Sequence, residues 1–275
     1  MTTNMKFSVL MSIYHKESHQ HFDRAMRSVW DEQTIKPNEI VLVEDGVLTD
    51  GLYQAIREWK ERLTNTLQVV SLKENVGVGA AKNIGIEMCN CELISVMDTD
   101  DVSLPKRFEK QLAVFENQDV DVCGAWIGEF EFNETQIISY RRTPEQHNEI
   151  VAFAKGRSPV NHVTAMYKKS WVLNVGNYAK YRTSEDYNLF VKLIMAGAKI
   201  YNLQESLVSV RMGNEQQVRR GGLKNAMFEA DVQVGFYKMG FLNFFEMIRN
   251  VSVGFVIRML PSVLMKVIFK MIRKL

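Results

Sequence analysis

The residues most able to do chemistry in this 275-residue chain are a few acids and a glycine loop. Asp98-Thr99-Asp100-Asp101 follows an apolar run and precedes Pro105. Two carboxylates two positions apart, where a strand breaks into a turn, can face one ligand. Their hard oxygens suit Mg²⁺ or Mn²⁺ rather than zinc, shared with the oxygens of a diphosphate. Such a cation offsets the charge that builds on a diphosphate leaving group. Taken alone, the same four residues are equally a solvated turn ahead of a helix.

Their surroundings extend that chemistry. Glu44-Asp45-Gly46 ends another apolar run, and Asp45 there can accept a hydrogen bond from a base or ribose. Asn75-Val76-Gly77-Val78-Gly79 leads into a stretch carrying Lys82 and Asn83. Glycines let backbone N–H groups approach an anion, and Lys82 adds a positive charge; a tight helix-entry turn is the alternative. Displacing a diphosphate with a hydroxyl also needs a base. Glu185-Asp186 opens a later helix, where the helix N-terminus favours ionised carboxylate, so Asp186 can accept the proton. A first-turn acid without catalytic work is the other reading. Arg211, Arg219 and Arg220 read either as a clamp on diphosphate or as a solvated charged turn. His162 is a contact to a sugar or a satisfied structural histidine.

The elements that must position these residues alternate. Phe7–Tyr14, Glu39–Glu44, Leu67–Leu72 and Glu92–Asp98 read as strands. Phe22–Gln33, Asp50–Leu63, Ala80–Cys89 and a stretch opened by Pro105 read as helices. That order predicts βαβ units, a mainly parallel sheet flanked by helices, and ligands beyond the carboxyl ends of the strands. Further on, Asp121–Phe132, Gln136–Arg142, Val163–Tyr167, Ile200–Leu203 and Leu207–Met212 read as strands. Pro144–Ala154, Asp186–Ala196 and Leu223–Lys238 read as helices, with Ser184 as the N-cap of the second.

Composition and charge narrow the class. An apolar fraction of 46% supports one substantial core and excludes disorder for the main body. Three cysteines, Cys89, Cys91 and Cys123, give no disulfide framework and no zinc spacing. The net charge of +2 is unevenly placed. Residues 241–275 hold six Lys/Arg against Glu246 alone, whereas residues 1–240 are mildly acidic. A basic end of this kind fits an anionic lipid surface better than nucleic acid. Leu260, Leu264, Val267, Ile268, Met271 and Leu275 fall on one helical face, opposite Lys266, Lys270 and Arg273. Pro261 is the expected start of that amphipathic helix, whose competing use is packing on the domain or a second copy. No apolar stretch reaches the ~18 residues of a spanning helix, and the start of the chain lacks signal-peptide organisation.

FSVLMSIYHKE, EIVLVEDG, LKENVGVGAAKNIG, VMDTDD with PKRFEKQ, and SEDYNLFVKLIMAGAKI occur in this order. Together they resemble the family 2 glycosyltransferases of the GT-A fold over roughly residues 5–215. Within that family the chain resembles bacterial enzymes of O-antigen and exopolysaccharide repeat-unit synthesis. The resemblance implies a nucleotide-sugar half at about 1–105, an acceptor half at about 106–240 and the basic helical tail at 241–275. It implies UDP-sugar contacts at Tyr14, Glu17, Asp45, Lys82, Asp98, Asp100, Arg211, Arg219 and Arg220, with Asp45 against uracil. Asp100, helped by Asp98, would hold Mn²⁺ or Mg²⁺. Asp186 would be the base of an inverting transfer, with Glu185 and His162 on the acceptor side. Lys82 stands where the family more often has arginine, and so lacks the forked geometry. Arg220 is followed by Gly221 where processive members carry tryptophan, which implies addition of one sugar. The implied acceptor is a polyprenyl-diphosphate-linked saccharide, reached from the cytoplasmic face of the bacterial plasma membrane.

Two other readings stay open at this level. A sugar-nucleotide nucleotidyltransferase also uses a βαβ sheet, acids and Mg²⁺, but Tyr14-His15-Lys16-Glu17 occupies the place of its glycine-rich loop. A non-catalytic, membrane-associated subunit that only binds nucleotide sugar is the second.

Overall fold

The computed structural model describes residues 5–179, 184–212 and 222–259. Three parallel strands start the chain: β1 (Phe7–Ile13), β2 (Glu39–Glu44) and β3 (Leu67–Ser71). Their connections are α1 (His19–Val29), α2 (Asp50–Arg62) and α3 (Val78–Met88), which leads to β4 (Leu93–Val96). The runs are apolar on both faces because helices cover both sides, as parallel sheets require. Phe22, Leu52 and Trp59 fill one side, together with Phe7 and Phe108. Leu10, Val43, Ala81 and Ile86 fill the other. Gly85 lets α3 lie close on the sheet, since a Cβ there would sit 2.3 Å from Leu10 Cδ1.

The second half is mixed rather than parallel. It contains β5 (Val102–Ser103), α4 (Arg107–Asn117), β6 (Val122–Phe130), β7 (Ser139–Arg141) and α5 (His147–Ala154). A 3₁₀ turn at His162–Thr164, β8 (Met166–Lys168) and α6 (Lys169–Asn174) follow. Then come α7 (Glu185–Met195), β9 (Ile200–Arg211), α8 (Leu223–Lys238) and α9 (Phe244–Met259). The sheet order is β3-β2-β1-β4-β8-β6-β9-β5, with β7 on β6. β1 pairs in parallel with β2 and β4, so their carboxyl ends share one edge. β8 runs antiparallel to both β4 and β6 and joins the halves.

Three local expectations are corrected. The two strands expected at 200–203 and 207–212 are one strand, β9, whose register against β6 shifts around Trp126; the extra residues are absorbed in a bulge without breaking the ladder. The expected strand at 163–167 is divided, its first part being the 3₁₀ turn. Ser184 does not cap α7 with its side chain. Its φ of 64° is left-handed, outside the extended conformation that lets an N-cap hydroxyl reach the first turn.

Residues 244–259, within the stretch expected as a basic helical tail, pack on the rest of the chain. Lys155 Nζ donates to Glu246 Oε1 at 2.7 Å, and Asn250 Nδ2 donates to Lys155 O at 2.6 Å. The helix expected from Pro261 onward lies outside the described residues.

Candidate functional site

Beyond the shared carboxyl edge of β1, β2 and β4 lies a cleft of about 670 Å³. It brings together Tyr14, Glu17, Asp45, Lys82, Asp98, Asp100, His162, Glu185, Asp186 and Arg211. Of the donor and acceptor contacts expected from the sequence, Arg219 and Arg220 lie outside the described residues.

The acidic loop is built from beneath. Arg107, at the start of α4, is fully buried and donates through Nη2 to Val96 O (2.8 Å) and Ser95 Oγ (2.9 Å). Its Nε donates to Gln111 Oε1 at 3.0 Å, while Gln111 Nε2 donates to Thr164 O and Cys123 O. One buried cation thus holds the last residues of β4, two positions before Asp98. Burial pushes its pKa down to about 9, countered by Cys123 and the nearby carboxylates of Asp98 and Asp101. Arg107 was visible in PKRFEKQ, yet nothing in the sequence says that it points inward.

The acids of the loop separate by role. Asp101 is buried and accepts from the Arg211 amide at 2.9 Å, while Arg211 Nε donates to Asp100 O at 3.3 Å. Asp101 therefore ties the loop to the end of β9. Asp98 accepts from Lys82 Nζ at 3.0 Å. Burial is the largest single effect and opposes its ionisation, but Lys82, helped by His162 and Arg107, holds its carboxyl below the usual range. Among the described residues Asp100 has no such cation in direct contact, and burial plus the charge of Asp98 raise it to about 6. Glu17, from the turn after β1, is raised to about 7 by burial and by Asp100 and Asp98. This surplus of hard, mutually repelling oxygens fits a divalent cation. No group of three or more His, Cys, Asp or Glu side chains among the described residues forms a complete ligand set. A cation held by Asp100 and Asp98 would therefore take its remaining ligands from water and substrate oxygens.

Lys82 holds its charge inside the protein. It is 2% exposed, and beyond Asp98 its ammonium meets His162 Nδ1 at 3.4 Å. Because the ammonium only donates, Nδ1 accepts, which leaves Nε2–H to donate to Tyr178 Oη at 2.7 Å. Burial, then Lys82, press the His162 pKa down to about 4, so the ring is neutral. Both ring nitrogens are engaged, which supports the structural reading of His162 over a sugar contact.

The glycine loop is also corrected. Asp45 accepts from Val76 N (2.7 Å) and Gly77 N (3.1 Å), so these amides are turned toward a carboxylate of the protein rather than toward a phosphate. Gly46 permits the approach: its φ is +87°, and a Cβ there would sit 2.7 Å from Asn75 N. Asp45 remains on the cleft wall next to Tyr14.

On the same cleft, Glu185 and Asp186 occupy the first turn of α7, whose free amides favour anions. Burial, then Asp186, raise the Glu185 pKa. Arg141 and Glu129, from β7 and β6, also line this side. Sequence reasoning missed both, because a β-hairpin without a motif does not announce which of its charges turn inward. Cys89 and Cys123 are buried thiols pushed up to about 12, mainly by burial, in keeping with packing roles.

Residues 8–176 match the family model of glycosyl transferase family 2. The chain is 34% identical over 266 residues to the Escherichia coli UDP-Gal:alpha-D-GlcNAc-diphosphoundecaprenol beta-1,3-galactosyltransferase, covering 96% of this chain and 95% of that protein. It is 32% identical to the amylovoran biosynthesis glycosyltransferase AmsE of Erwinia amylovora, covering 98% and 99%. Among solved structures, S. aureus TarS aligns with a TM-score of 0.64 at 19% identity. That match covers 92% of this chain and 43% of TarS. A mannosyltransferase from Pyrobaculum calidifontis, solved with GDP-Man and Mn2+, aligns at 0.65 and 15% identity, covering 86% and 65%. At these identities the two structures establish the GT-A fold alone.

Proposed function

The chain belongs to glycosyl transferase family 2, and from that premise we propose that it moves one sugar from a UDP-sugar to a polyprenyl-diphosphate-linked saccharide with inversion. The observation that carries this reading is that one cleft is lined both by the acidic loop, Asp98 and Asp100, and by the first-turn acid Asp186. The E. coli relative, named for a UDP-Gal donor and a lipid-diphosphate acceptor, supports the choice of both substrates.

Each residue has work to do in that reaction. Tyr14 and Asp45 bound the nucleoside side of the cleft. Asp98 and Asp100 would hold Mn²⁺ or Mg²⁺, which would supply positive charge to the diphosphate leaving group. Lys82 keeps Asp98 ionised and fixed in place. Asp186 accepts the proton of the acceptor hydroxyl as that oxygen attacks the anomeric carbon and the bond to UDP breaks. A single displacement on an α-linked donor gives a β-glycoside. Glu185, in the same first turn, hydrogen-bonds the acceptor. Arg219 and Arg220, with Arg211, remain proposed as contacts to diphosphate.

No described helix is long and apolar enough to cross a membrane. We place the enzyme at the cytoplasmic membrane surface, where a lipid-linked acceptor presents its headgroup. The decisive experiment incubates the purified chain with a panel of UDP-hexoses, Mn²⁺ and a polyprenyl-diphosphate GlcNAc. UDP release coupled to a β-linked disaccharide is expected, and EDTA should stop it. Diphosphate release from a nucleoside triphosphate, with no sugar transfer, would instead identify a nucleotidyltransferase.

A further inference from the structure

Helices α8 and α9 form an antiparallel hairpin whose inner side is fully used. Val232 and Phe236 bury against Tyr187 and Val191 of α7. Arg258 pairs with Glu229, and Asn250 Nδ2 donates to Gln233 Oε1 at 2.9 Å. The outer side is exposed among the described residues. Leu223 and Met227 on α8 are exposed, as are Phe244, Ile248, Phe255 and Met259 on α9. Spacings of four, seven and eleven put each set on one helical face. Phe245 (81% exposed) and Val256 (63%) widen the face on α9.

The two faces are continuous. Tyr237 and Phe244 meet edge-on at 6.2 Å near the turn, and Gly222 N donates to Arg258 O at 2.9 Å at the opposite end. Each helix has 16 residues, so the surface is about 24 Å long. Apolar surface of that extent is a mark of docking, not of an ordinary solvated exterior.

We propose that this two-helix face docks on an anionic lipid bilayer, lying in its interface. Charge selects that occupant. Lys224, Lys238 and Arg249 are exposed along the same helices, with Asp231 as the one exposed acid. After Glu246 the sequence contains six basic residues and no acid. Bases beside apolar surface suit anionic headgroups, whereas a second copy would bring like charges together. The docking surface thus begins at residue 223, inside the part that sequence assigned to the catalytic domain. Because α8 packs on α7, beside Asp186, the bilayer is held in fixed relation to the proposed base. That consequence rests on the lipid-linked acceptor proposed above; the docking itself needs no acceptor.

The test is sedimentation of the full chain with vesicles of phosphatidylglycerol and phosphatidylethanolamine, compared with phosphatidylcholine alone. Wild type should pellet with the anionic vesicles. Phe245→Glu/Val256→Glu and, separately, Lys224→Gln/Lys238→Gln/Arg249→Gln should weaken binding at least tenfold. UDP release with a short water-soluble acceptor should stay within twofold of wild type, which also shows that the variants fold. Unchanged vesicle binding in the glutamate variant would overturn the proposal. So would a wild-type dimer, seen by analytical ultracentrifugation without lipid, that the same variant converts to monomer without wild type binding vesicles. Vesicle binding lost in the variants while no protein releases UDP would retain the docking surface and sink the catalytic reading instead.

Discussion

Asn83 clasps the backbone of Tyr178. Its Nδ2 donates to Tyr178 O and its Oδ1 accepts from Tyr178 N, both at 2.9 Å. Asn83 follows Lys82 on α3, and Tyr178 lies shortly before α7. The clasp therefore fastens the helix under the donor-side acids to the segment that leads to the proposed base.

Replacing Asn83 with alanine removes both partners at once from enclosed backbone groups. Each such loss costs about 1–3 kcal/mol. The variant should melt several degrees lower, and kcat should fall more than KM for the donor rises, since the base side is displaced. Thermal melts with steady-state kinetics check this; an unchanged melting temperature would count against the clasp.

Asp100→Asn should stabilise the metal-free protein. The Asp100 pKa is raised to about 6, so folding makes ionisation harder. Between its ordinary pKa and 6 the folded state binds more protons than the unfolded one, and stability falls as pH rises through that window. Above it the penalty is complete, of order 1–2 kcal/mol after allowance for coupling and solvent. At pH 7.5 without metal, Asp100→Asn should melt a few degrees above wild type and have lost at least 100-fold in transfer. A melting temperature below wild type would contradict the assigned repulsion.

His162 has the opposite sign. Its folded pKa of about 4 lies below the ordinary histidine value, so the unfolded chain binds the extra proton as pH drops. Wild type should lose stability between about pH 6.5 and 4, and His162→Gln should flatten part of that loss. Nitrogen NMR at pH 6 should show a neutral ring protonated on Nε2. An imidazolium signal at that pH would disprove the tautomer assigned from Lys82.

Asp186→Asn keeps the size of the side chain and removes the proton acceptor. General-base loss is worth about 10²–10⁴ in rate. Transfer should fall by that factor while donor binding, read by calorimetry with UDP and Mn²⁺, stays within threefold. Near-wild-type turnover would reassign the base, with Glu185 the next acid in the same turn.

Much of this was legible in the sequence because it is local or periodic. Alternating apolar runs predict β1 to β4 and their helices, since a strand covered on both faces must be apolar throughout. Asp98, Asp100 and Asp45 stand out because they end such strands, where a parallel sheet collects its ligands. Asp186 stands out because it begins a helix. Mixed pairing in the second half was harder to read: β9 carries Gln204 and Glu205 at its bulge, and polar residues there look like a break.

What the sequence determined by itself is the set of residues at the site and the chain order in which they arrive. Tertiary structure decided which charges are spent inside the protein. Lys82 is turned to Asp98 and His162, Asp101 to the Arg211 amide, Asp45 to two loop amides, and Arg107 to the floor beneath them. Nothing in the spacing could say so, because each partner is 16 to 110 residues away or is a backbone group. Whether a carboxylate is compensated depends on those distant neighbours, and that separates Asp98, held ionised beside Lys82, from Asp100 and Asp101, which burial and their neighbours' charge push up.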